Sequence, residues 1–190
     1  MMATDLHHFL VLPVDVPGPA RRLAEQLGNI VRAATSGDLG VGWESALPCR
    51  RRPANRPCPG RMVVQRTEAP ATIRWRCSVC DDEGVISNWA GSPFDLRARQ
   101  LTVAGAVNEI VISAGVAATL RDLRLLDLDC ERLVYRARAH GEGAALLASD
   151  EDLDELIGYV AAEANHESNR PRQRRLDAAL DALTGAADTD

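Results

Sequence analysis

Four cysteines between residues 49 and 80 place the strongest constraint on how this chain of 190 residues can fold. Their pattern is Cys49-x8-Cys58-x18-Cys77-x2-Cys80. The two-residue gap between Cys77 and Cys80 lets both thiolates reach one ion from a tight turn. The 18 residues before Cys77 fall in the range found between two pairs of metal ligands. The spacing therefore predicts a metal-binding module.

The segment around these cysteines, residues 40–94, differs in composition from the rest of the chain. It holds all three tryptophans and many Pro, Gly and Arg residues, but few aliphatic residues. Two strand-like runs, 61–67 and 72–76, are separated by Glu68-Ala69-Pro70 and predict a hairpin, and residues 84–89 predict a third strand. Because this segment has little core of its own, metal binding would supply free energy for its folding.

Residues 49–90 resemble a zinc ribbon. The resemblance rests on Cys77-x2-Cys80, on its separation from Cys58 and on the strand-turn-strand pattern. It implies one structural Zn²⁺ held by four thiolates, those of Cys49, Cys58, Cys77 and Cys80. The first pair departs from the family, since eight residues stand where a ribbon usually has two. Other residues that can supply the fourth ligand in place of Cys49 are His7, His8, His140 and Asp81.

Two other interpretations of the cysteines stay open. A redox-active Cys-x-x-Cys pair normally opens a helix, where the thiol pKa is lowered. Here Asp81, Asp82 and Glu83 follow the pair, and their negative charge disfavours the thiolate. Buried free cysteines are the second alternative, and core packing is the predicted role of Cys130. The spacing does not choose between zinc and iron.

The basic residues are unevenly distributed. All 22 are arginine, which excludes a catalytic lysine or a phosphate-loop lysine, and the bias is typical of a GC-rich bacterial genome. The net charge is -5, yet residues 49–76 carry eight arginines and one acid, whereas residues 149–163 carry six acids and no base. Trp75 and Trp89 are candidates for stacking on bases. The candidate phosphate-binding residues are Arg50, Arg51, Arg52, Arg56, Arg74 and Arg76. These arginines can equally pair with the chain's own acids or be solvated.

The remaining sequence predicts an α+β protein. Residues 8–14 predict a short buried strand or an extended arm. Residues 20–35 predict an amphipathic helix, which we expect to pack on the C-terminal part. Strands are predicted at 108–113 and 143–148, and Ser149 with Asp152 resembles the capping box of a further helix. The predicted organisation is a strand-helix unit (1–39), a zinc-ribbon-like β module (40–94) and a helix-rich α/β unit (95–190).

The leading functional interpretation is a non-enzymatic zinc-binding protein that contacts nucleic acid through its arginine-rich module. A zinc-stabilised adaptor with a tryptophan-bearing surface and a protein partner is the first alternative. The second is an enzyme with a polar site at Asn165 and His166, although Arg170 stands where a metalloprotease helix needs its second histidine. No catalytic residue is assigned. No targeting or membrane segment is evident, so the cytoplasm is expected, and the oligomeric state stays open.

Overall fold

Residues 1–98 and residues 99–190 form two structural units, each built from helices and strands. The computed structural model describes residues 1–13, 15–97 and 108–187. The predicted α+β class is confirmed, with the cysteine-bearing strands between an N-terminal strand and helix and a C-terminal helical part. The boundaries at 39/40 and 94/95 stay a prediction, and residues 98–107 and 188–190 of the predicted C-terminal unit lie outside the described residues.

The first unit contains a five-stranded sheet in the order β1-β5-β4-β3-β2. β1 runs parallel to β5, and the other neighbouring pairs are antiparallel. The elements are β1 (Met2–Asp5), α1 (His7–Leu10), α2 (Gly18–Ser36), β2 (Trp43–Pro48), a 3-10 turn (Pro53–Asn55), β3 (Arg61–Arg66), β4 (Ile73–Cys77) and β5 (Glu83–Ser87). The predicted hairpin is confirmed as β3 and β4, and the predicted third strand as β5.

The N-terminal segment differs from its prediction. The strand expected at 8–14 is wrong: the chain forms β1 earlier, beside β5, and then the single-turn helix α1. The turn begins where the Asp5 carboxylate accepts the backbone N–H of His7 at 2.9 Å and the carbonyl of Leu6 accepts that of Phe9 at 2.8 Å. Val14 lies outside the described residues. The apolar run is therefore not a strand, because the single-turn helix α1 occupies its first residues.

Strand alternation gives the sheet one buried and one exposed face. In β4, Ile73, Trp75 and Cys77 are buried, whereas Arg74 and Arg76 are exposed. α2 packs against β2, β3 and β4 through a stripe that includes Leu27, Ile30 and Val31. Its apolar stripe therefore covers the sheet that carries the cysteines, whereas packing of this helix on the C-terminal part stays a prediction.

Two tryptophans assigned to stacking are part of the core. Trp75 is 3% exposed and Trp89 is 1% exposed. The indole N–H of Trp89 donates to the carbonyl of Ala71 at 3.2 Å, and the guanidinium of Arg97 lies 4.4 Å from the centre of its ring. The prediction that these rings stack on bases is therefore wrong, because alternation in β4 and the packing of Trp89 turn them away from solvent.

The second unit contains a three-stranded antiparallel sheet in the order β7-β8-β6. Helices contact β8 and β6 and one another, with leucines such as Leu120, Leu146, Leu156 and Leu176 fully buried. The elements are β6 (Asn108–Ile112), α3 (Ala114–Arg121), α4 (Leu128–Arg136), β7 (Arg138–His140), β8 (Gly143–Ala148), α5 (Asp150–His166) and α6 (Arg170–Ala187). Among the described helices, none combines the length and hydropathy needed to cross a bilayer.

The start of α5 follows from its sequence. The hydroxyl of Ser149 accepts the backbone N–H of Asp152 at 3.2 Å, and the carboxylate of Asp152 accepts that of Ser149 at 3.1 Å. The predicted capping box is confirmed with aspartate in place of the usual glutamate or glutamine. Acidic residues in the first turn of α5 also interact favourably with the positive end of the helix dipole.

Candidate metal centre

The four cysteines converge because of the strand order. Cys49 follows β2, Cys58 precedes β3, Cys77 ends β4 and Cys80 lies in the turn before β5. In an antiparallel array β2-β3-β4-β5, these chain positions all fall at one end of the sheet. The four Sγ atoms lie within 4.8 Å of one another. The fold therefore brings together the four cysteines that their spacing predicted as metal ligands.

The sulfur geometry matches a tetrahedral metal site. The Sγ atoms of Cys49 and Cys80 are 3.7 Å apart, and those of Cys58 and Cys77 are also 3.7 Å apart. A metal–sulfur distance of about 2.3 Å gives a tetrahedron with edges of about 3.8 Å. A disulfide requires about 2.05 Å between sulfurs, and all of these cysteines are free. The arrangement can therefore hold one metal ion.

Residues 50–57, the basic segment between Cys49 and Cys58, fold back on themselves. This brings Cys49 and Cys58, the first cysteine pair, close together. The N–H of Cys49 donates to the carbonyl of Gly60 at 2.9 Å. The N–H of Cys58 donates to the carbonyl of Arg51 at 2.9 Å. We call residues 50–57 the basic loop. Its eight residues do not separate the two thiols, because these hydrogen bonds join the two ends of the loop.

Backbone N–H groups point at the sulfurs. Cys77 Sγ accepts N–H groups from Val79 at 3.3 Å and from Cys80 at 3.4 Å. Burial opposes ionisation of Cys77, but these donors outweigh it and hold the pKa of its thiol below the ordinary value. Burial raises the pKa of the Cys49 thiol, an effect that the N–H of Arg51 offsets in part. N–H donors favour thiolates, which are the form that binds metal.

The environment is that of a closed site. Cys49, Cys58 and Cys77 are buried, and Cys80 is partly exposed. With four protein ligands, no position of a tetrahedral ion is left for water or substrate, so the centre is suited to a structural role. His7, His8, His140 and Asp81, the alternative fourth ligands, are not members of this group, which among the described residues consists of the cysteines alone. Cys130 is buried in α4, as predicted.

A buried carboxylate joins the basic loop to the second cysteine pair. Asp82 has a side chain only 4% exposed. Its carboxylate lies 3.4 Å from Nε of Arg50 and 3.1 Å from Nε of Arg51, and its carbonyl accepts the N–H of Cys77 at 2.7 Å. Two of the predicted phosphate ligands are thus already paired with an acid. The sequence did not identify this contact, because Asp82 looked like part of an acidic run.

The other four arginines predicted to face phosphate are exposed. Arg52 and Arg56 lie in the basic loop, and Arg74 and Arg76 project from the face of the sheet opposite α2. In the part of the chain that the structure describes, none of these four has an ion-pair partner. They therefore contribute exposed positive charge to the first unit.

The polar site predicted at Asn165 and His166 lies at the surface. Asn165 and His166 are exposed at the end of α5. The buried polar group nearby is Glu163, whose carboxylate contacts Arg172 and accepts the N–H of Arg124 at 2.9 Å. Arg172 also pairs with Glu167 at 2.6 Å. These side chains satisfy one another and connect the loop after α3 to α5 and α6.

Gly60 is expected to be essential for metal affinity. A Cβ atom at this position would collide with Sγ of Cys77 and lie 3.0 Å from Cβ of Val79. We expect Gly60→Ala to displace a ligand and to cost about 2 kcal/mol of metal binding, which is roughly a 30-fold loss of affinity. Competition with a chromogenic chelator measures the metal affinity of each variant.

The matched control for this substitution is Gly158→Ala in α5, where an added Cβ meets open space. We expect unchanged metal affinity and a stability gain of up to about 1 kcal/mol from better helix propensity. Equal chelator competition by the Gly60→Ala variant and the wild-type protein would contradict the role assigned to the Gly60–Cys77 contact.

No protein-family model matches the chain, and comparison with curated proteins and with solved structures gives no match either. The chemistry of the centre therefore rests on its own geometry. The four sulfurs lie within 4.8 Å of one another, with two pairs at 3.7 Å, and backbone donors hold them at one end of a sheet.

Proposed function

We propose that the first unit is a zinc-ribbon-like module that binds one structural Zn²⁺ and contacts nucleic acid through its arginines. The observation that carries this proposal is the convergence of four thiols directly beside the exposed basic loop. Zinc is the ion favoured by four thiolates in a closed site with no role for redox chemistry. Two turns, one after β2 and one after β4, would supply two ligands each, as in a ribbon.

The charge distribution supports nucleic acid as the partner. The whole chain is acidic, so binding must depend on a local patch. Arg52 and Arg56 provide guanidinium groups that can pair with phosphate oxygens in a bidentate manner. Arg50 and Arg51 are held by Asp82 and therefore serve to fix the loop on the metal centre. The metal would then keep a flexible, arginine-rich segment in one conformation, which lowers the entropic cost of binding.

Binding of the full chain to a single-stranded oligonucleotide of random sequence is expected to weaken steeply as salt is added, because phosphate contacts release counterions. The double variant Arg52→Ala/Arg56→Ala is expected to make the slope of log K against log salt less negative by about 1.4, or about 0.7 per lost contact. Fluorescence anisotropy over a salt series measures both quantities.

The matched control is Arg174→Ala/Arg175→Ala, which removes the same charge from exposed positions of α6. We expect its slope to equal that of the wild-type protein. Absence of binding, or binding that salt does not weaken, would contradict the nucleic-acid proposal and favour the zinc-stabilised adaptor. Metal analysis of protein purified without chelator tests the zinc proposal separately, and the expected content is one zinc per chain.

A further inference from the structure

We infer that the face of the first unit's sheet opposite α2 is a phosphate-binding surface for a single strand of nucleic acid, with Arg74 and Arg76 as its ligands. This inference rests on the proposed function and identifies the surface that would perform it. Arg74 and Arg76 differ from Arg50 and Arg51, whose guanidinium groups are already paired with Asp82.

The face carries a shallow concavity of about 560 Å³. β3, β4 and β5 form its floor, where Val63 lies opposite Arg76 and Val85 lies opposite Arg74 in the strand register. Gly42 lines one side. α2 covers the other face of the sheet, so within the first unit this concavity stays open. A small, partly apolar floor lets an extended chain approach the backbone of the strands closely.

The two arginines are arranged for neighbouring anions. They stand two residues apart on β4, so both project from the same face, with their Cα atoms about 6.6 Å apart along the strand. This spacing is similar to that of successive phosphates in an extended nucleic-acid strand. Both side chains are exposed, and neither has an ion-pair partner among the described residues. Two cations without counterions on one concave face create a positive potential that attracts a polyanion.

Glu83 is the acid among the residues that line the concavity. It lies opposite Arg76 in the register of β4 and β5, and no ion pair joins the two side chains in the described part of the chain. Its half-exposed carboxylate lies 3.9 Å from the N-terminal ammonium of Met1, and its negative charge would repel a bound phosphate. Removing this charge should therefore strengthen binding, which is a change opposite in sign to the loss of either arginine.

The residues that line the concavity also indicate which part of a nucleic acid it would bind. Trp75 is the aromatic residue of the lining, and its side chain is buried. Without an exposed ring, bases cannot stack on this surface, so affinity must come from phosphate contacts and be insensitive to base sequence. A single strand suits this concavity because its flexible backbone can enter a shallow depression, whereas a duplex presents a broad, rigid cylinder.

The test measures binding of the full chain to oligothymidine and oligoadenosine of equal length at low salt by fluorescence anisotropy. We expect Arg74→Ala/Arg76→Ala to weaken binding about tenfold or more and Glu83→Gln to strengthen it about threefold, equally for both oligonucleotides. Arg74→Lys/Arg76→Lys keeps the charge and is expected to retain most of the affinity, because lysine binds phosphate as a point charge. Unchanged metal content and tryptophan fluorescence verify that each variant is folded.

The outcomes separate this inference from the proposed function. If the wild-type chain binds and Arg52→Ala/Arg56→Ala weakens binding, while Arg74→Ala/Arg76→Ala and Glu83→Gln change nothing, the sheet face is not the site and the inference is overturned. If the wild-type chain binds neither oligonucleotide, the proposed function itself fails. A strong preference for one base would also overturn the inference, because it requires contacts that phosphate-binding arginines do not provide.

Discussion

Removal of the proposed metal ion, by chelation or by Cys77→Ser, is expected to destabilise the first unit by at least about 4 kcal/mol. Free zinc at about 1,000 times its Kd stabilises a folded protein by about 4 kcal/mol, and a domain is stable by only about 5–15 kcal/mol. Without the proposed ion, the four buried or partly buried cysteines lose the centre that they share, and the segments 49–60 and 77–83 lose the link that would join them. The core formed by α2 and the sheet remains, so the damage should be greatest at the cysteine end.

Tryptophan fluorescence reports this unit selectively. All three tryptophans, Trp43, Trp75 and Trp89, lie in residues 1–98, whereas both tyrosines, Tyr135 and Tyr159, lie in residues 99–190. We expect the thermal transition followed by tryptophan emission to shift to much lower temperature in Cys77→Ser, together with loss of bound zinc. Addition of zinc to the chelated wild-type protein should reverse the shift, but the variant should not recover.

Limited digestion with trypsin locates the change. In the basic loop, Arg52 and Arg56 each precede proline, and trypsin does not cleave such bonds. Cleavage should therefore appear after Arg50 and Arg51 when the metal is removed, and these bonds should be protected while it is bound. Cys130→Ser is the matched control, since Cys130 lies in α4 and outside the cysteine group. Equal protection with and without metal would contradict a structural role for the ion.

The centre shows how far a sequence can be interpreted from spacing. The spacing of Cys77-x2-Cys80 was enough to predict that both thiols point to one site, because a two-residue gap leaves the chain few conformations. The position of Cys49 was harder to predict, because the path of an eight-residue insertion depends on contacts made outside it. The hydrogen bonds to Gly60 and the pairing of Arg50 and Arg51 with Asp82 decide that path. None of these contacts follows from local propensity or periodicity.

The strand alternation contained a signal that could have corrected one prediction. The sequence Ile73-Arg74-Trp75-Arg76-Cys77 alternates apolar and charged residues, so Trp75 must lie on the same face as a predicted metal ligand. That pattern predicts a buried ring and exposed arginines, as observed. By contrast, β2 was not predicted, because its pairing with β3 is a tertiary contact and its sequence, residues 43–48, ends in proline.

Replacement of Arg172 by methionine is expected to destabilise the second unit by about 3 kcal/mol. Arg172 is 11% exposed and pairs with Glu163, which is 7% exposed, and with Glu167. Loss of the guanidinium leaves the carboxylate of Glu163 buried without a counter-charge, and such losses cost about 3–5 kcal/mol. The hydrogen bond that Arg172 donates to the carbonyl of Asp122 at 3.1 Å is also removed, which loosens the loop after α3.

The measurement is thermal and urea unfolding followed by far-ultraviolet circular dichroism, with tryptophan emission recorded in parallel. The helical signal of α3–α6 should be lost earlier in Arg172→Met, while the tryptophan transition of the first unit stays in place. Arg174→Met is the matched control, because it removes an exposed arginine from the same helix and should change stability by less than about 0.5 kcal/mol.

A second substitution tests the cause of the loss. Glu163→Gln in the Arg172→Met background replaces the unpaired charge by a neutral amide of similar size, which can still accept the N–H of Arg124. We expect it to restore about half of the lost stability, so that the two substitutions are strongly non-additive. Additive effects, or an Arg172→Met variant as stable as the wild type, would show that the Glu163–Arg172 pair does not hold α5 and α6 together.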